Sequence, residues 1–216
     1  YKFDRLVSRT KNRPLASGKM GMTEAWLYFI LLATLSLCLL FFVPLYTIYA
    51  SLVVAVFIMI YPLTKRFLKA PQFFLGITFG SGTIISFSLV SSDFSLSLLI
   101  LFIGTVLWII SFDTIYAFED IADDLKIGIN STPILWGDQA LNISKYLHLA
   151  FYISLALIGF INKFSLFFLI ILIILLGLYI HQRRLINNDQ YLDAFKFNNW
   201  IGMFASIGFV IEAFLI

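Results

Sequence analysis

An all-α polytopic membrane protein is predicted by three observations. The 216 residues are 61% hydrophobic and only 12% charged, with a mean hydropathy of +0.95, well beyond the balance of a soluble domain. The apolar residues fall in continuous runs near bilayer length, and they do not alternate with polar ones as barrel strands would. Lipid supplies no hydrogen bonds to a backbone, so such runs must satisfy themselves as helices.

Seven apolar spans are expected, at residues 25–43, 45–60, 72–90, 96–112, 146–161, 164–180 and 200–216. The first follows Glu24, and Pro44 marks the tight break before the short second span. The third carries Gly76, Gly80 and Gly82, small residues that let helices approach closely. The fourth runs directly into an acidic stretch. Asn162-Lys163 separates the fifth from the sixth, and Asn198-Asn199 precede the last, placed to cap or cross-link helices. With no soluble insert or low-complexity tract, residues 1–216 are expected to form a single transmembrane domain. Cys38, the one cysteine, excludes an intrachain disulfide and reads as a small buried hydrophobe.

The connections alternate between short, nearly uncharged ones (Pro44, residues 91–95, residues 162–163) and long polar ones (residues 1–24, 61–71, 113–145 and 181–199). Of the fifteen Lys and Arg residues, all but Lys163 fall in the long set, and so do all acidic residues except Asp93 and Glu212. Positive residues stay on the cytoplasmic side, so the long loops are expected there and the C-terminus outside.

Residues 113–124, Asp-Thr-Ile-Tyr-Ala-Phe-Glu-Asp-Ile-Ala-Asp-Asp, hold five of the twelve acidic residues. If the helix continues past Phe112, then Asp113, Tyr116, Asp120 and Asp124 share one face. Asp120 and Asp124, one turn apart, repel unless a cation sits between them. Hard divalent ions take such oxygens, and Mg²⁺ commonly shares them with phosphates. A solvated acidic loop is the alternative. The first loop carries Arg9 and Arg13 four residues apart, suited to forked recognition of phosphate oxygens or to an ordinary anchoring role at an anionic lipid surface. The second carries Tyr61, Lys65 and Arg66 at the membrane interface, where a belt tyrosine and a snorkelling lysine are equally good readings. Lys126 either meets a phosphate or balances charge, and Gly128 is placed to end the acidic helix. Two histidines, His148 and His181, with one cysteine build no His/Cys metal cluster, and no nucleotide-binding glycine loop or nucleophile elbow is present. One membrane face thus combines carboxylates, cations and a tyrosine above an apolar bundle, a layout suited to chemistry on a lipid diphosphate.

Three stretches resemble the UbiA superfamily of intramembrane aromatic prenyltransferases, and within it the branch that prenylates 4-hydroxybenzoate for ubiquinone. Phe3-Asp4, Val7, Arg9-Thr10 and Asn12-Arg13-Pro14-Leu15 with Ser17-Gly18 resemble the tail of the first Asp-rich motif and the segment after it. Tyr61-Pro62, Lys65-Arg66 and Pro71-Gln72, with Leu75-Gly76 and Phe79-Gly80, resemble the Tyr-x-x-x-Lys region. Asp113-Thr114, Tyr116-Ala117, Asp120, Asp123-Asp124, Lys126-Ile127-Gly128 and Ser131-Thr132 resemble the second Asp-rich motif, the most specific of the three. Phe195, Asn198 and Gly202 match more weakly.

The resemblance implies a nine-helix bundle, of which seven spans are found here. Asp4 would be the last residue of the first Asp-rich motif, so the other ligands of that motif and two helices are expected before Tyr1. It further implies Mg²⁺-dependent electrophilic aromatic substitution in a bacterial inner membrane, with the active site on the cytoplasmic side. The expected partners are a polyprenyl diphosphate, 4-hydroxybenzoate and the lipid bilayer, and no nucleic acid. Asp120 and Asp124 would act as catalytic metal ligands, joined by Asp4 and Asp123. Lys65, Arg66 and Lys126 would bind diphosphate, and Tyr61 and Arg13 would position the aromatic acid. The alternatives are another enzyme of the superfamily, of protohaem farnesyltransferase, menaquinone or archaeal-lipid type, or a transporter using 113–124 as an ion path. Against the transporter, those residues lie at a helix end and not at the bilayer midplane.

Overall fold

The computed structural model describes residues 4–64 and 67–215, and every regular element among them is helical. A single turn, α1 (Pro14–Ser17), starts on proline and stops at Gly18, whose φ of 79° suits only glycine well. α2 (Met22–Leu39) tightens into a 3₁₀ turn, Leu40–Phe42, before Pro44. α3 (Leu45–Thr64) is longer than expected and includes Tyr61 and Pro62, which sequence reading assigned to a loop. Pro62 sits in the last turn, where few carbonyls still have helical donors, and the Thr64 hydroxyl donates to the Tyr61 carbonyl at 2.7 Å.

The third apolar span divides into α4 (Pro71–Gly80) and α5 (Gly82–Ser88), interrupted at Ser81 between two glycines of low helix propensity. α6 (Leu96–Ala117) passes through a 3₁₀ turn, Phe118–Asp120, into α7 (Ile121–Ile127). The stretch 113–127 is mostly helix, as the spacing of its acidic residues required, because nothing in it breaks a helix before Gly128. That glycine closes α7 at φ 67°, its amide bonded to the Asp124 carbonyl. Pro133 opens α8 (Thr132–Trp136), which leads into α9 (Ala140–Ile161). α10 (Leu166–Asn187), α11 (Tyr191–Lys196) and α12 (Asn198–Leu215) complete the chain. Among the described residues six stretches are long and apolar enough to cross a membrane, and α4 with α5 makes up a further apolar span.

α6 is the central helix, packed chiefly along α9 and α4. Gly104 lets α6 and α9 touch: a Cβ there would lie 1.9 Å from Ser154 Oγ. Gly76 and Gly80 do the same toward α4, where an added Cβ would meet Ile110 at 2.8 Å and Val106 at 2.7 Å. Gly82 meets nothing within 4 Å, so its expected packing role is not found. On the far side, Phe151, Leu155, Ile171, Leu175, Ile201 and Ala205 join α9, α10 and α12. Asn198 Oδ1 accepts from Trp108 Nε1 at 2.9 Å, the helix cross-link expected of that residue. The buried Glu212 carboxylate accepts from the Ser165 amide and hydroxyl at 2.8 and 2.6 Å, holding the start of α10 against α12. No residue of α2 is buried, and Cys38 is exposed on it, which corrects its reading as a buried hydrophobe. Apolar side chains there need no protein partner, because lipid solvates them equally well.

Replacing Gly104 by Leu should cost about 1–3 kcal/mol through overpacking against Ser154, while Gly177→Leu, with nothing within 4 Å, should be nearly neutral. Thermal unfolding of both variants in detergent, followed by loss of the monodisperse peak, measures the difference.

Candidate active site

The last turns of α6 carry Asp113 and Tyr116, the 3₁₀ turn carries Asp120, and α7 carries Asp124. All four line one cavity of about 500 Å³. The helix does continue past Phe112, so the expected common face is realised. Asp4, Arg9 and Arg13 from the first loop line the same cavity, with Tyr61 from α3 and Gln72 from α4. Asp120 and Asp124 are buried, at 8% and 4% exposure, where an uncompensated charge would be costly.

The compensation at Asp120 comes from the first loop. Arg9 grips the carboxylate with both arms of its fork, Nε donating to Oδ1 at 3.0 Å and Nη2 to Oδ2. That hydrogen bond raises the Arg9 pKa above its ordinary value, against the opposing effect of burial. The guanidinium lies 4.5 Å from the centre of the Tyr116 ring, itself stacked on Phe195 at 4.3 Å. One residue earlier, the Ser8 amide donates to Asp123 Oδ2 at 2.8 Å. Arg13 pairs with Asp4 at 2.9 Å, the Thr10 hydroxyl donates to the Asp4 carbonyl, and Arg5 Nε donates to the Ala16 carbonyl. The loop is thus a folded cap fastened to the acidic helix end.

A buried polar chain holds the other wall. Gln72 Oε1 accepts from the Thr132 amide at 3.0 Å, and the Thr132 and Thr114 hydroxyls meet at 2.7 Å. α4, α8 and α6 are tied together beside the cavity. Outside it, Glu119 accepts from the Leu192 amide at 3.0 Å, docking α11.

Of the residues nominated from sequence, Asp4, Arg13, Tyr61, Asp120 and Asp124 come together around this cavity. Asp123 and Lys126 do not line it; they pair with each other at 3.5 Å, with Lys126 largely exposed. Lys65 and Arg66 lie outside the described residues. Arg9, Gln72, Asp113 and Tyr116 line the cavity without having been nominated. Arg9 shares the helical spacing that drew attention to Arg13, and Asp113 and Tyr116 share the face of Asp120. Among the described residues no three His, Cys, Asp or Glu side chains converge into an ion-holding group.

A second, apolar groove of about 650 Å³ opens at the other end of the bundle, between α5, α6, α9 and α12. Leu98 and Leu101 of α6 line it. They fall on the same side of α6 as Trp108, Phe112 and Tyr116 by helical spacing. From Tyr116 to Leu98 the helix rises roughly 27 Å.

An all-helical membrane bundle with a polar cavity of acid and arginine at a helix end, opposite an apolar groove, is the architecture of an intramembrane transferase acting on lipid substrates. The chain belongs to the UbiA prenyltransferase family, whose model matches residues 1–208; it is a prenyltransferase. It is 34% identical to the 4-hydroxybenzoate octaprenyltransferase of Tolumonas auensis, over 97% of this chain and 74% of that one. The enzyme of the same name from Colwellia psychrerythraea is 36% identical, over 98% and 75%. The fold matches a UbiA homolog from Aeropyrum pernix K1 with a TM-score of 0.84 at 24% identity, covering 98% of this chain and 80% of that one. A solved digeranylgeranylglyceryl phosphate synthase matches with a TM-score of 0.69 at 25% identity, covering 100% and 79%.

Gln72→Leu keeps the bulk but removes the acceptor for the buried Thr132 amide, and should cost about 1–3 kcal/mol. A lowered unfolding temperature together with faster hydrogen exchange at residues 129–132 is the expected result.

Proposed function

We propose that the chain transfers a polyprenyl group from a polyprenyl diphosphate to the ring of 4-hydroxybenzoate, with Mg²⁺, in ubiquinone biosynthesis. One observation carries the reading: a cavity sets carboxylates, arginines and tyrosines at one end of α6, and an apolar groove opens at the other end of the same helix. A diphosphate head fits the first and an isoprenoid tail the second. The names of the relatives at 34–36% identity support the acceptor.

The donor set suits a hard ion, since Asp4, Asp120 and Asp124 present carboxylate oxygens to one cavity. Those residues would hold Mg²⁺; Asp123, which does not line the cavity, would not. When bound, the ion would neutralise charge growing on the departing diphosphate. The chain's own groups do the rest. Arg13, which lines the cavity, orients anionic groups; for Lys65, Arg66 and Lys126 the same role rests on the family resemblance of the sequence. Tyr61 and Arg13 set the aromatic acid against the allylic carbon. As the C–O bond breaks, its electron pair leaves with the diphosphate. The allylic cation lies where the aromatic side chains of α6 exclude water. A ring carbon ortho to the phenol attacks it, and loss of the ring proton restores aromaticity.

The cavity is taken to open on the cytoplasmic side of a bacterial inner membrane, as the distribution of Lys and Arg argues. With Cys38 replaced by Ser, cysteines at Lys11, Lys126 and Arg184 should label from the cytoplasmic side and one at Ser92 from the opposite side. Labelling of the Lys126 position from outside reverses the orientation.

Incubation with 4-hydroxybenzoate and labelled polyprenyl diphosphate in Mg²⁺ should give prenylated acid. Asp120→Ala and Asp124→Ala should each lower the rate at least about a hundredfold, Asp120→Ala with a lowered unfolding temperature as well, because Arg9 loses its partner. Near-normal turnover in either variant removes its carboxylate from the mechanism. Turnover with haem or naphthoate acceptors alone moves the chain to another branch of the family.

A further inference from the structure

The acidic residues of the cavity already carry counter-charges and donors supplied by the first loop. Arg9 forks onto Asp120, the adjacent Ser8 amide donates to Asp123 Oδ2 at 2.8 Å, and Arg13 takes Asp4 at 2.9 Å. A guanidinium fork and a divalent ion compete for the same lone pairs of Asp120. A metal ion arriving alone must displace Arg9 and leave a half-buried cation without its anion, an expensive outcome. A metal ion arriving with a diphosphate brings the replacement anion, because the fork that fits a carboxylate also fits phosphate oxygens. Tyr116, backed by Phe195, gives the guanidinium a fixed surface in the cavity wall from which to exchange one partner for the other.

We infer that Arg9 is a partner-exchanging positioning residue: it holds Asp120 until diphosphate is present, then transfers to the diphosphate, so that metal and diphosphate enter together and metal alone is disfavoured. The inference rests on the diphosphate reading above. It assigns the first loop a role in the order of binding, beyond supplying charge.

Equilibrium dialysis of the purified, detergent-solubilised chain with radiolabelled Mn²⁺ and inorganic pyrophosphate tests it by binding alone. In the parent protein, Mn²⁺ alone should bind weakly, and pyrophosphate should strengthen its retention at least tenfold beyond complex formation in the protein-free compartment. In Arg9→Gln, Mn²⁺ alone should bind about tenfold tighter, the worth of a charged hydrogen-bonded contact, and the benefit of pyrophosphate should shrink. A purely structural role predicts the opposite sign, weaker Mn²⁺ binding in the variant. If Arg9→Gln does not fold, Arg9→Lys, which keeps the charge and loses the fork, should still bind Mn²⁺ alone more tightly than the parent. Unchanged or weaker Mn²⁺ affinity in the folded variant overturns the exchange while leaving the diphosphate reading intact. A parent protein that retains neither probe, separately or together, overturns both.

Discussion

The close approach of α6 to its neighbours is the constraint on which the rest of the structure depends. In lipid, apolar contact between helices has no hydrophobic advantage over contact with acyl chains, so association rests on fit and on hydrogen bonds. α6 obtains fit from Gly104 against α9 and from Gly76 and Gly80 of α4. It obtains hydrogen bonds from Ser111 with Ser144, Thr114 with Thr132, and Trp108 with Asn198. Because α6 is fixed on three sides, the carboxylates that continue from its end are fixed too. A catalytic constellation at the end of a loosely packed helix would wander by more than the tolerance of a reacting pair.

The electrostatics follow from that placement. A helix leaving the membrane with carboxylates at successive turns concentrates negative charge where water is scarce. The chain offsets it locally: Arg9 at Asp120, Lys126 at Asp123 and Arg13 at Asp4. Each pair joins a cation to an acid that would otherwise be drawn to a metal ion. Of the three, the Arg9 pair combines a buried carboxylate with a forked contact, so it dominates the energetics, whereas the exposed Lys126 pair adds little. The first loop is therefore as much a part of the site as the acidic helix, although more than a hundred residues separate them in sequence.

How far all this is legible in the sequence varies with the physics involved. The apolar spans, the alternation of loops and the shared face of Asp113, Tyr116, Asp120 and Asp124 follow from length and helical period, which are local properties. Gly128 as a helix end and Asn198 as a cross-link follow from residue chemistry. The division of the third span at Ser81 was not legible, because glycine and serine are common inside membrane helices. Nor was the helical character of 191–196, since polarity hides a helix that lies at the membrane surface. Cys38 was misread because burial in an apolar run of sequence is not burial in protein. Among site residues, Arg9 was singled out for its fork, but its partner Asp120 was not legible, nor was the role of Gln72 toward Thr132, because these partners are remote in sequence and only the fold supplies the distance.

The position of the charged groups also bears on what kind of machine the bundle is. An ion path through the membrane needs polar groups near mid-depth, usually at a broken helix. Here the span broken at Ser81, α4–α5, buries that serine with its hydroxyl spent on the Ile77 carbonyl at 2.7 Å, and sets Gly80 against Val106. The buried Glu212 sits at the opposite end of the bundle from Asp120, closed off by Ser165. Between these ends α6 offers Phe112, Trp108, Leu101 and Leu98 along the side that leads from the cavity, and Trp108 lies flat on Phe151 at 4.7 Å. The polar cavity and the apolar groove thus lie at opposite ends of one helix, with packed aromatic side chains between them that offer no polar route for an ion.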